Sequence, residues 1–182
     1  MVVEAGSGAV GPPVVSFRLL EEPVLRAMLG DELAEAGRIV GRPLPAFFLE
    51  EKWLWRIRLD QLLESPEAAP WLVRAVVLQP GGTVVGHAGF HGPPDGDGVV
   101  EVGYTIAPEH RGHGYAHAVL RALVDEATSL PAVRVVRATV GPDNLASLAV
   151  VRRGGFSHVG EQWDEVDGTE LVFEKQVRAA TR

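Results

Sequence analysis

The stretch APEHRGHGYAHAVL, residues 107–120, restricts the possible folds more than any other part of the chain. Glycine is costly inside a helix and useful just ahead of one, so Gly112 and Gly114 mark a change from extended chain to helix. The residues before them, VVEVGYTIA (99–107), alternate as a strand does. After them, Leu120, Leu123, Val124 and Ala127 form an apolar stripe, with Arg121, Asp125 and Glu126 turned to water. A glycine-rich loop between strand and helix presents unpaired amides at the positive end of the helix dipole, which suits phosphate. Arg111 and His113 add charge or donors at the same place.

The rest of the chain places this unit in a larger order. VSFRLLEE (15–22) reads as a first strand, and Pro23 opens a helix over 23–36 that Gly37 closes. A second helix follows over 49–64, with Trp55, Leu59 and Leu62 on one side. The period then shortens: WLVRAVVLQ (71–79), a PGG turn, TVVGHAGFHG, and the strand 99–107 form a meander. Beyond the 115 helix come a strand over 133–140, a helix from about Asn144 to Arg153, and closing strands around HVGEQWDEV and TELVFEKQ. The order β-α-α-β-β-β-α-β-α-β-β makes this a mixed α+β chain with one domain over 15–177. Residues 1–14 and 178–182 read as tails.

Seventeen basic residues against 24 acidic ones give a net charge of −7, which argues against a nucleic-acid partner and suits a cationic one. The chain has no cysteine, so disulfides, thiol catalysis and cysteine metal sites are all excluded. The start MVVEAGSGAVGPPVV lacks a basic and then apolar leader, and no apolar run approaches the ~20 residues of a membrane span. These features predict a cytoplasmic protein with no membrane partner, a monomer or homodimer.

Several uses of the loop are open from spacing. A plain strand–loop–helix connection needs nothing more than glycine. A dinucleotide fingerprint needs a third glycine where His117 stands, and a Walker loop needs Gly-Lys-Ser/Thr, which is absent. RGHGYA (111–116) resembles the Gln/Arg-x-x-Gly-x-Gly/Ala loop of the GNAT superfamily of N-acetyltransferases. EVGYTIAPEHRGHGYA and NLASLAVVRRGGF (144–156) resemble the branch that includes ribosomal-protein N-terminal acetyltransferases.

That resemblance implies a GNAT fold. It has a seven-strand, mostly antiparallel sheet, splayed between the fourth and fifth strands, with helices on both faces. Acetyl-CoA, as co-substrate, would lie in the splay. Its pantetheine arm would pair with backbone near Ile106 and Ala107 and with the Asn144 amide, and its pyrophosphate would meet the amides of Arg111, Gly112, His113, Gly114, Tyr115 and Ala116. The acceptor would be an amine.

Amine acetylation needs a proton acceptor, an oxyanion donor and a way to stabilise the leaving thiolate. Alternation puts Val100, Val102, Tyr104 and Ile106 on one face of their strand and Glu101, Gly103 and Thr105 on the other. Glu101 is the one charge in that strand, beside a glycine that leaves space. By itself it is either a solvated glutamate or a base, and the family pattern favours the base. Asn144 is a good helix N-cap, and Ser147 shares its side with Val151. Many GNAT enzymes carry a proton-donating tyrosine where this chain has Val151, so Ser147 is the nearest substitute.

His110, His113 and His117 lack an acidic ligand at metal-binding spacing, so no metal is expected. His87 and His91 share a strand face and read as interior or edge histidines, with one of them a possible wall of the acceptor cleft. Phe47, Phe48, Trp53 and Trp55 read mostly as core. The opposing reading is an acyl-CoA-binding module without catalysis.

Overall fold

The computed structural model describes residues 11–165 and 168–177. Of the tails expected at 1–14 and 178–182, residues 1–10 and 178–182 lie outside the described residues, and Val14 already belongs to the first strand. Seven strands form one sheet in the order β1-β2-β3-β4-β5-β7-β6. They are β1 (Val14–Leu19), β2 (Arg74–Gln79), β3 (Val84–Phe90), β4 (Val99–Ile106), β5 (Val135–Val140), β6 (Ser157–Asp164) and β7 (Gly168–Gln176). Every neighbouring pair is antiparallel except β4 with β5. A parallel pair requires a crossover, and the helix α4 (Tyr115–Ser129) supplies it.

The β4–β5 ladder is short. It pairs Val99 with Val135, Val100 with Val136 and Glu101 with Arg137, then stops. From Val102 onward the two strands diverge, and α5 (Leu145–Arg153) lies beside the opening. The expected splay is therefore present, with its vertex at Glu101.

Two apolar layers cover the two faces of the sheet. On one, Val119, Leu120, Leu123 and Leu148 of α4 and α5 pack on Val100, Val102 and Phe90. On the other, Val24, Leu25 and Met28 of α1 (Glu22–Leu29) pack with Phe48 and Trp55 against Ala75 and Val77. Each fully buried large side chain contributes about 1.5–3 kcal/mol. Glu126 does not simply face water as its helical position suggested. It holds the buried Arg74 guanidinium at 2.8 Å, and that group also lies over the Phe17 ring.

The helix expected over 23–36 is two helices, α1 and α2 (Leu33–Val40). The apolar spacing runs through both, but the chain turns at Gly30–Asp31, where Asp31 takes a left-handed φ of 63°. Aspartate tolerates that region better than most residues do. Gly37 does not end the helix. It lies inside α2 with Arg42 O only 3.0 Å from where a Cβ would stand, while Gly41, at φ 77°, forms the cap. The helix expected over 49–64 is a short 3-10 turn, Ala46–Leu49, followed by α3 (Lys52–Glu64). The strand expected over 71–79 starts at Arg74, because Trp71 and Leu72 are in a turn whose carbonyl at 71 takes the Phe90 amide.

Candidate active site

The loop after β4 has the conformation its glycines anticipate. Gly112 and Gly114 sit at φ 80° and 78°, and a Cβ on either would meet nothing within 4 Å. The space there is open, so the left-handed backbone is the constraint, and it is one that side-chain-bearing residues rarely meet. The first backbone bond of α4 runs from Ala118 N–H to Gly114 O, so the amides ahead of Ala118 have no partner inside the helix. Arg111 turns its side chain back, donating from Nε to Ile106 O at 3.0 Å. His113 stacks on Tyr115 with ring centroids 5.4 Å apart. The loop, Ile106 and the outer side of α5 enclose a cavity of about 330 Å³. Among the described residues, no group of three or more His, Asp or Glu side chains is placed to hold a metal ion.

Strand pairing decides which amides of β4 are free. Ala107 donates its N–H to Val85 O, and Glu101 O accepts from His91 N–H, so the odd-numbered residues of β4 spend their backbone on β3. By antiparallel alternation, Val102, Tyr104 and Ile106 turn their N–H groups toward β5. Past Glu101, β5 is no longer within pairing reach. Of the two backbone positions singled out in sequence, Ile106 faces the opening and Ala107 does not. Tyr104 joins Ile106 there.

A second cavity, of about 480 Å³, crosses the opening from the α3 side to the α5 side. Asn144, Ser147 and Val151 line one wall, as their shared helix side predicts. Asn144 caps α5, its Oδ1 accepting the Ser147 amide at 3.0 Å. Tyr104 reaches the same wall. It is part-buried, and its hydroxyl is buried without a hydrogen-bond partner among the described residues. Burial pushes the phenol above its ordinary range, and the nearby Ser147 hydroxyl pulls it back.

Glu101 stands at the vertex. Its Oε1 accepts the Thr139 hydroxyl at 2.7 Å and lies 3.5 Å from His91 Nδ1. The space beside Glu101 is not empty. Gly103 leaves room that the His91 ring fills, since a Cβ at 103 would stand 2.8 Å from His91 Nε2. Burial, opposed by the Glu101 charge and reinforced by Arg58, holds the His91 imidazole below its ordinary pKa.

Arg58 and Gln61 of α3 clasp this corner. Arg58 donates to Gln61 Oε1 at 2.7 Å, and Gln61 donates to His91 O at 3.0 Å. Desolvation pulls the buried Arg58 guanidinium down and the Glu101 charge pulls it back, but an arginine stays charged. Thr139, Arg58 and the His91–Glu101 contact were not legible in sequence. The only trace was the shared face of His87 and His91, and nothing local said that this face meets Glu101.

Comparison with known proteins fits this geometry. The family profile described as an acetyltransferase (GNAT) domain matches residues 25–157. The chain belongs to the GNAT acetyltransferase family. Among curated proteins, it is 34% identical to the uncharacterized N-acetyltransferase YjdG of Bacillus subtilis strain 168 over 73 residues. That match spans 40% of this chain and 44% of the relative, less than half its length.

Among solved structures, a spermidine N-acetyltransferase chimera of Vibrio cholerae SpeG and hSSAT superposes with a TM-score of 0.62 at 16% identity, covering 89% of this chain and 95% of that one. Mycobacterium smegmatis RimJ, in complex with a CoA disulfide, gives a TM-score of 0.62 at 21% identity, covering 92% and 86%. At such identities the likeness establishes the shared GNAT fold. Among the described residues, no helix is long and apolar enough to cross a membrane.

Proposed function

We propose that the chain is an acetyl-CoA-dependent N-acetyltransferase of the RimJ- and RimL-like branch, passing the acetyl group directly to a primary amine. One observation carries this reading: the β4–β5 ladder ends at Glu101, so a carboxylate stands where an opening with free strand amides begins. The residues present suit the co-substrate. The glycine loop offers amides from Arg111 to Ala116 to a pyrophosphate at the mouth of α4. The free amides of Tyr104 and Ile106 offer an added-strand contact to a pantetheine arm, and Asn144 offers its amide beside them. When bound, acetyl-CoA supplies an activated thioester.

The chain's own groups then divide the work. Glu101, oriented by Thr139 and His91, accepts the proton of the attacking amine. A β4 amide turned into the opening donates to the carbonyl oxygen as it becomes an oxyanion. The C–N bond would form first and the C–S bond would break as the oxyanion collapses, with Ser147, and the protonated Tyr104 phenol beside it, as the donor that meets the leaving sulfur. Tyr104 thus answers the absence of a tyrosine at Val151. With no cysteine in the chain to carry the acyl group, a single transfer step is the simplest route.

The test is thiol release from acetyl-CoA across a panel of primary amines and amino-terminal peptides, run beside calorimetry with CoA. Turnover of at least one amine is expected. Tight CoA binding with no amine acetylated would make the chain a binding module instead.

A further inference from the structure

The cavity at the opening holds a second imidazole–carboxylate pair that the chemistry above leaves unused. His87 Nε2 lies 3.5 Å from Glu51 Oε2, matching the 3.5 Å between His91 and Glu101. The two histidines are four residues apart on one face, roughly 13 Å along the extended chain. Between them Gly89 pairs with Gly103, and these glycines let the Leu72 backbone and the His91 ring pack directly on the strands. Glu51, His87, Gly89, His91 and Gly103 all line this cavity.

The two pairs differ in their charge balance. Glu101 has the Thr139 hydroxyl and the Arg58 charge. Among the described residues, Glu51 has no arginine or lysine within ion-pair distance, and its carboxylate meets only His87. His87 is 4% exposed, boxed by Phe47, Phe48 and Trp55 with ring centroids 5.0 to 5.8 Å away. Among the described residues, its Nε2 has no hydrogen-bond partner and is buried. Leaving such a nitrogen unpaired is costly, so a packed imidazole aimed at a cavity carboxylate points to something that completes the set.

We propose that Glu51, held from behind by His87, anchors a second cationic nitrogen of the acceptor, so the acceptor class is a diamine or longer polycation. This rests on the reading that the reacting amine lies at Glu101. An ammonium at Glu51 gives the carboxylate the counter-charge it lacks and fixes it in hydrogen-bond reach of His87. The cavity itself, of about 480 Å³, gives a methylene chain its path between the two ends, with Trp53 and Leu54 as its apolar wall. His87 is a positioning residue here, acting through Glu51.

Decylamine and 1,10-diaminodecane, equal in length and different in one charge, separate the possibilities. The expected wild-type kcat/KM favours the diamine by about ten- to hundredfold, the range of one hydrogen bond to a charged group. Glu51→Gln should collapse that ratio toward one. It should leave acetyl-CoA affinity and Tm unchanged, because Glu51 makes no side-chain cap on α3. His87→Phe, which keeps the aromatic packing, and His87→Gln should each lower the ratio through diamine KM rather than kcat.

Equal use of both amines by the wild type, or an unchanged ratio in Glu51→Gln, overturns the anchor. If no amine is acetylated, the activity reading fails while the anchor is still decided. Calorimetry of 1,10-diaminodecane against CoA-bound protein should show binding that Glu51→Gln weakens. Absent binding, or binding the variant does not change, rejects it.

Discussion

The loop at 111–116 and the cavity around Glu101 lie at opposite ends of one strand and are built from different material. The loop is made of backbone. Its two left-handed glycines and the bare start of α4 create donors, while Arg111 and His113 turn their side chains to Ile106 O and to Tyr115. The cavity is made of side chains that α3, β3, β4, β5 and α5 each deliver to one corner. A backbone site is set by local conformation and tolerates most side-chain changes. A side-chain site depends on register, and each contributing group matters. Substitutions in the two regions should therefore differ in kind as well as in size.

The largest effect belongs to Glu101. Glu101→Gln keeps the volume and removes the proton acceptor, so kcat should fall by about 10²–10⁴ with acetyl-CoA affinity intact. The deficit should narrow as pH rises and more amine arrives already deprotonated. A variant fully active across pH would make the vertex carboxylate a bystander.

Gly114→Val attacks the backbone site. Forcing a β-branched residue to φ 78° costs about 1–2 kcal/mol or more, so acetyl-CoA affinity should drop about tenfold or more, with kcat at saturation largely kept. Calorimetry showing native affinity would take the loop out of the site.

His91→Asn should cost several-fold in kcat/KM at neutral pH and progressively less on the acid side. Burial depresses the His91 pKa, so the ring stays neutral to below its ordinary value of about 6.5. Protonating it puts a cation beside Arg58, and activity in the wild type should fall as pH drops through that lowered value. The stability sign agrees. The unfolded chain binds this proton more readily, so the native state loses stability as pH falls below about 6.5. The acid limb of the rate profile should change in His91→Asn, and an identical limb would assign it to another group.

Ser147→Ala should cost less and show little pH dependence, since a thiolate leaves readily and Tyr104 stands beside the missing hydroxyl. Smallest of all should be His113→Ala, because the loop's donors are main-chain amides. A large affinity loss there, comparable with Gly114→Val, would erase the distinction between the two sites.

Legibility followed the same division. Gly112, Gly114 and the stripe of α4 announced the loop, and Asn144 with Ser147 announced the start of α5, because each depends only on neighbours in sequence. The break at Gly30–Asp31 was hidden by an apolar spacing that runs continuously through both helices. Gly37 resembled a stop because helix ends and close packing both call for glycine. Tyr104 was assigned to the core face by alternation, which is correct for its neighbours. At the splay, however, β5 has parted from β4, and the Tyr104 hydroxyl reaches the cavity that opens between them.

By itself the sequence determined the element types, the glycine-marked loop ahead of α4, the single charge on β4 and the absence of a thiol route. These follow from backbone conformation, side-chain period and composition, which act over a few residues. The tertiary structure decided where the β4–β5 ladder stops, and therefore which amides are free. It also decided that Arg58, His91 and Thr139 converge on Glu101, and that Glu51 meets His87. Those contacts join segments up to several dozen residues apart, and their register is set by packing the whole sheet between its two helical layers, which no local pattern encodes.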